Sequence, residues 1–115
     1  MKIGITGASG MLGTALVRRL SKSNKVFATS RSVGVEGKDI EWDCFDLTDV
    51  PLLNKWLNKV KPDVVVHCAA IVNVDLCEEN VDLATKLHVE TTKTMADYLD
   101  FNNATKLFFE EFYSI

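Results

Sequence analysis

Apolar and polar positions along the chain switch between two periods. Lys2–Thr6, Lys25–Ser30 and Val64–Cys68 are short runs rich in β-branched residues, the pattern of strands. Between them the period becomes helical. Leu12, Ala15, Leu16, Arg19 and Leu20 recur at helical spacing within Met11–Lys22. Leu52, Leu53, Trp56, Leu57 and Val60 form one apolar stripe behind Asp49, a capping residue, and Pro51, which suits a first helical turn. Ser32–Lys38 has two glycines and no periodicity and reads as a loop, with Ile40–Trp42 as a short third strand after it. Pro62 and Asp63 break the chain before Val64–Cys68, which reads as a strand covered on both faces. Asn80–Leu99 carries Leu83, Leu87, Thr91, Met95 and Leu99 along one side of a long helix, and Thr105–Phe109 reads as the next strand. Alternating strands and helices predict βαβ units around a parallel sheet. Right-handed crossovers then predict a doubly wound α/β fold with strand order 3-2-1-4-5 and helices on both faces.

Composition narrows the function classes. At 115 residues the chain is one domain, and 47% hydrophobic residues give it a real core. A net charge of −3 excludes a strongly basic nucleic-acid module. No apolar run approaches the ~20 residues of a membrane span. The N-terminus, with Lys2, Thr6, Ser9 and several glycines, lacks a signal-peptide core, so a cytoplasmic protein is expected. Cys44, Cys68 and Cys77 form no CxxC pair, and His67 and His88 complete no zinc pattern. They read as reduced thiols in the core, and no metal site is assigned. His67, inside an apolar strand, reads as a satisfied core histidine.

The strongest chemical signal is Thr6-Gly7-Ala8-Ser9-Gly10-Met11-Leu12-Gly13, which follows a strand and opens a helix. Gly7 permits a tight turn, Gly10 lets backbone approach a pyrophosphate, and Gly13 lets the helix pack close to the sheet. The free N–H groups at the helix start favour phosphates. Ser9, Met11 and Leu12 belong to the same cradle. The expectation is a Rossmann-type dinucleotide-binding domain.

The GxxGxxG spacing resembles the short-chain dehydrogenase/reductase superfamily, in its extended, sugar-nucleotide-modifying branch. Asp46-Leu47 stands after the third strand, where that branch holds the adenine ring. Pro62 to Ala70 resembles its fourth strand and the small-residue turn, Cys68, Ala69 and Ala70, beside the cofactor. Val74-Asp75-Leu76-Cys77-Glu78 resembles the following stretch of dTDP-4-dehydrorhamnose reductases. Leu87 to Thr92 resembles the family's Val-Asn-Val-x-Gly-Thr helix, with His88 in place of the Asn. The likeness covers residues 1–109, read as an NAD(P)-binding Rossmann domain ending after about five strands, with 110–115 as a divergent C-terminal tail.

The second strand ends Thr29-Ser30-Arg31-Ser32, without the acid that would bond a ribose 2′-OH. Ser30 and Arg31 suit a 2′-phosphate, so NADP(H) is expected ahead of NAD(H). The resemblance implies a keto reduction served by a YxxxK pair, and no YxxxK occurs in these residues; no catalytic residue is assigned. The chain reads as the NADP-binding portion of a dTDP-4-dehydrorhamnose-reductase-like oxidoreductase, inactive alone. The alternatives are a non-catalytic NADP-binding module resembling the regulatory subunit of methionine adenosyltransferase, or an inactive truncated product. A fifth strand bearing Phe108 and Phe109 at an exposed sheet edge is expected to self-associate or recruit a partner chain, with Glu110 and Glu111 as partial protection.

Overall fold

A computed structural model describes residues 1–68 and 89–98 in full and 106–109 by their backbone. Ala69, Ala70, the 74–78 stretch with Cys77, His88, the first part of the Asn80–Leu99 helix and the tail 110–115 lie outside the described residues. The elements are β1 (Lys2–Thr6), α1 (Met11–Leu20), β2 (Lys25–Ser30), β3 (Ile40–Cys44), α2 (Val50–Val60), β4 (Val64–His67) and β5 (Lys106–Phe109). Residues 89–98 are helical. The strands lie in the order β3-β2-β1-β4-β5, and every described pairing is parallel. The doubly wound topology expected from the alternation of periods is the one observed. No described helix is long and apolar enough to cross a membrane.

Register and strand pleat divide the core between two faces. Ile3 and Ile5 of β1 stand beside Val26 and Ala28 of β2, and with Ala8 and Val17 they form the buried layer under α1. On the other face, Leu53, Trp56, Leu57 and Val60 of α2 meet Val65 of β4 and Met95 of the 89–98 helix. Gly4 lies between them, because a Cβ there would stand 3.0 Å from Trp56 Cη2. The indole of Trp56 therefore rests directly on the central strand, tilted against Phe45 at a centroid distance of 6.1 Å.

Local chemistry explains where the elements end. The Asp49 carboxylate accepts from the Leu52 N–H at 3.2 Å and caps α2. Lys61, with φ of 48°, closes the helix in the left-handed region by donating to Leu57 O at 2.8 Å. The apolar stripe of α2 is narrower than its spacing predicts, since Leu52 is exposed. α1 stops at Leu20 rather than Lys22. There the Lys22 and Ser23 N–H groups donate three residues back, to Arg19 O at 3.4 Å and Leu20 O at 3.3 Å, and tighten the chain out of the α-helical ladder. β3 runs two residues beyond Trp42, because Asp43 and Cys44 stay in register with Thr29 and Ser30. As the outer strand it accommodates charge, and Lys59 Nζ reaches Asp43 at 3.2 Å and Glu41 at 3.6 Å.

Two contacts tie the helices to the sheet's carboxyl end. A Cβ on Gly13 would lie 2.3 Å from Gly7 O and 2.7 Å from Ala8 Cα, so α1 docks on the β1–α1 turn at backbone contact. In the β3–α2 connection the Asp46 carboxylate accepts from the Thr48 N–H at 2.9 Å and the Thr48 hydroxyl at 2.7 Å. The hydroxyl bond first, then the backbone bond, and lastly the Arg31 charge hold Asp46 below the ordinary carboxyl value of 3.8.

Each contact has a measurable consequence. Gly13→Ala meets backbone that cannot yield, so it is expected to cost about 1–3 kcal/mol in thermal unfolding, as overpacked cores do; an unchanged midpoint would show that α1 backs away freely. Asp46 is depressed in the folded chain, so its stabilisation is complete above the unfolded value and is lost as pH falls through the folded one. The difference in melting temperature between the unaltered chain and Asp46→Asn is expected to shrink below about pH 4. A gap that stays constant from neutral to strongly acid pH would contradict this.

Candidate functional site

The site forms at the carboxyl ends of β1, β2 and β4, where open α/β sheets take ligands. Its floor is the turn from Thr6 to Met11. Gly7 has φ of 61°, the left-handed conformation that glycine adopts without strain. Ala8 N–H donates to Thr29 O at 3.2 Å and ties the turn to β2. Gly10 N–H closes the turn on Gly7 O at 3.1 Å, and Thr14 N–H starts the helical ladder on Gly10 O at 2.9 Å. The amides of Met11, Leu12 and Gly13 precede the first helical acceptor and so face outward. No side chain caps α1 and no acid stands in its first turn, while Arg18 and Arg19 sit in its last. The helix dipole therefore meets no negative charge from its own first turn.

The three glycines of the motif hold their places for different reasons. Gly7 is required by its positive φ and Gly13 by the backbone it touches. Gly10 is held less strictly than either. Its φ of −72° and ψ of 175° are open to any residue, though a Cβ there would crowd the backbone at Gly7 O, at 3.3 Å. Serine or aspartate at this N-cap position would also bond the first helical amides. Glycine instead leaves the space before those amides clear, the fit that a diphosphate needs. Ser9 and Met11 flank this space and are exposed, Leu12 is half-buried and Gly13 is buried.

The other expected residues surround this floor unevenly. Ser30 is buried at the end of β2, and its hydroxyl donates to the Ser32 carbonyl, so its proton already serves the turn. Arg31 is exposed, and its charge acts on Asp46, which brings together the ends of β2 and β3. Asp46 is exposed in its turn with Thr48, while Leu47 packs against the α2-side core and its carbonyl accepts from Thr91 Oγ1 at 3.5 Å. Cys68 continues β4 through an N–H bond to Thr6 O at 3.1 Å. Ala69 and Ala70, which follow it, lie outside the described residues.

His67 is buried, and its Nδ1 lies 2.5 Å from Thr6 Oγ1, its register partner on β1. That bond makes it a core histidine that braces the strand end under the turn. Sequence periodicity did not reveal one further feature. The Ser32–Lys38 segment folds back over the sheet, with Trp42 Nε1 donating to Val35 O at 2.6 Å. Gly34 offered the only signal, as a glycine with no turn partner in the sequence pattern. A shallow depression at the opposite end of the strands, lined by Lys2, Lys22, Lys25, Asp39 and Asp63, mixes both charges and converges on no chemistry.

Comparison with known proteins agrees with this geometry. A family profile described as the RmlD substrate binding domain matches residues 1–107. A probable dTDP-4,6-dihydroxy-2-methyloxan-3-one 4-ketoreductase of Streptomyces antibioticus is 34% identical over 95 residues, covering 83% of this chain and 29% of that protein. Methionine adenosyltransferase 2 subunit beta of Xenopus laevis is 30% identical over 92 residues, covering 80% of this chain and 27% of that protein. The crystal structure of a hypothetical dTDP-4-dehydrorhamnose reductase from Sulfolobus tokodaii superposes with a TM-score of 0.82 at 32% identity, covering 95% of this chain and 38% of that one. The chain thus spans less than a third of the length of these two curated relatives. On the family match, the reductase relatives and the shared fold, the chain belongs to the RmlD substrate binding domain family, within the extended short-chain dehydrogenase/reductase superfamily.

Proposed function

We propose that this chain is the NADP(H)-binding portion of a dTDP-4-dehydrorhamnose-reductase-like oxidoreductase. The observation that carries the reading is the start of α1, whose first amides face outward with no side-chain cap and no acid in the first turn, behind an N-cap glycine whose backbone angles any residue could adopt. In this reading the Met11, Leu12 and Gly13 amides hold the cofactor's diphosphate, and the dipole of α1 favours its charge. Arg31 meets the 2′-phosphate of the adenosine ribose with a charge-assisted bond. Ser30 holds Ser32 and so orients the backbone on either side of Arg31. Asp46 and Leu47 border the adenine, and Cys68, Ala69 and Ala70 leave room at the end of β4. Bound NADPH supplies a hydride for the 4-keto carbon of a nucleotide sugar. A cytoplasmic setting, where thiols such as Cys44 and Cys68 stay reduced, suits this cofactor.

The likeness to a methionine adenosyltransferase subunit favours a second reading, a non-catalytic NADP-binding regulatory module. Both readings use the same cradle and differ in whether hydride leaves the cofactor. Loss of NADPH absorbance on adding a nucleotide-linked 4-keto sugar separates them, since a regulatory module binds without consuming the cofactor.

Gly10→Val is expected to abolish NADPH binding in calorimetric titration while circular dichroism stays largely unchanged, because its backbone angles suit valine and the one close neighbour of a Cβ is Gly7 O. Unchanged NADPH affinity in that variant would show that the turn is only structural. Arg31→Asp is expected to weaken NADPH by about 1.5–3 kcal/mol, the worth of a hydrogen bond to a charged group. Equal affinity of the unaltered chain for NADPH and NADH would remove Arg31 from cofactor choice.

A further inference from the structure

Beyond the glycine turn, a second segment approaches the cradle, and one side chain holds it there. The segment 32–38 joins β2 to β3 and has no secondary structure of its own. Ordering such a stretch costs backbone entropy at every residue, so something must hold it in one place. At its start the Ser30 hydroxyl donates to Ser32 O. In its middle the Trp42 indole donates to Val35 O at 2.6 Å. Trp42 is itself fixed by the sheet, in register with Ala28 on β2, and both Trp42 and Val35 pack on the α1-side core.

Gly34 shows how tight this arrangement is. A Cβ there would lie 2.9 Å from Trp42 Cη2, 3.1 Å from Trp42 Cζ2 and 3.6 Å from Ser9 Cα. The segment therefore lies tight against the indole at Gly34, with Ser9 within van der Waals reach of that position. It runs from Arg31, at the end of β2, past Ser9, at the edge of the diphosphate floor. A loop that joins those two points sets the distance between whatever Arg31 contacts and whatever the turn holds.

We propose that Trp42 is a positioning residue for cofactor choice: by pinning Val35 and seating Gly34 against Ser9, it fixes Arg31 relative to the glycine turn and so favours a cofactor bearing a 2′-phosphate. The inference rests on the dinucleotide reading of the site and adds the residue that presets its selectivity. Trp42 touches no cofactor atom in this scheme. It acts through the segment, which arrives already ordered, so binding does not have to order it.

The test is calorimetric titration of the 115-residue chain with NADPH and, separately, NADH, for the unaltered protein, Trp42→Phe and Gly34→Ala. Trp42→Phe keeps an aromatic ring against the core and removes the N–H donor. Gly34→Ala leaves the core intact and pushes the indole from the loop side, so it serves if Trp42→Phe does not fold. In each variant NADPH affinity is expected to fall roughly fivefold, the scale of one lost hydrogen bond, while NADH affinity falls by less than about twofold. The selectivity ratio then drops, an effect that a purely structural role would not produce. Equal weakening of both cofactors, or no change in either, overturns the role of Trp42 while leaving the cradle in place. An unaltered chain that binds neither cofactor overturns the dinucleotide reading, and this inference with it.

Discussion

The contact between α1 and the turn that precedes it governs most of what the site can do. Gly13 brings the helix to within touching distance of Gly7 O and the Ala8 backbone. A larger residue would hold the helix away by about the width of a methyl group, and its first amides would no longer open onto the end of β1. The close approach needs support from below, which β1 supplies. Ala8 N–H is bonded to β2 through Thr29 O, and Thr6 is bonded to His67 of β4. The turn is thus fastened to strands on both sides before any ligand arrives. In the proposed reading, that preorganisation lets plain backbone amides act as an anion site, since little must be ordered on binding.

The sheet provides this support because its two faces are packed differently. Under α1 the strands present Ile, Val and Ala, over which a helix can lie close. Under α2 the central strand presents Gly4, and the Trp56 indole fills the space. The large side chain on that face belongs to the helix rather than to the strand. α1 sits low on one face, while α2, anchored by aromatic bulk, occupies the other. α2 contributes to the site only through its connection from β3, where Asp46 and Leu47 lie. Its cap at Asp49 fixes where that connection ends.

Much of this was legible in the sequence, for identifiable reasons. Strand runs and helical stripes differ in period, so the alternation and the sheet order could be predicted from pattern and handedness alone. Two glycines of the motif were legible because each answers a separate geometric demand, Gly7 through its positive φ and Gly13 through the backbone it touches. The end of α1 was less so, because Lys22 and Ser23 turn to bonds three residues back, a tightening that apolar periodicity does not encode. The length of β3 was hidden for a related reason. Asp43 looks like a strand breaker, yet at a sheet edge beside Lys59 it is accommodated. Ser30 was assigned from residue type, and its hydroxyl turned out to serve Ser32, a local bond that no spacing rule anticipates. The fold of segment 32–38 was illegible, because one indole N–H and one missing Cβ hold it in place rather than any repeating pattern.

The relatives make sense of a cradle built mainly from backbone. Reductase relatives and a methionine adenosyltransferase subunit share this stretch at similar identity, although their printed names describe different work. Backbone amides, a left-handed glycine and a close helix contact carry no chemistry of their own beyond holding an anion. Any chemistry that follows must come from side chains placed around them, and these can change without disturbing the turn. In this chain the side chains that distinguish the cradle are Arg31, Asp46 and Trp42, all on β2, β3 and the connections that follow them. The glycine turn has conformational and packing requirements that few substitutions can meet. The exposed Arg31 and Asp46 have no such requirement, so in the proposed reading cofactor choice is most readily set there.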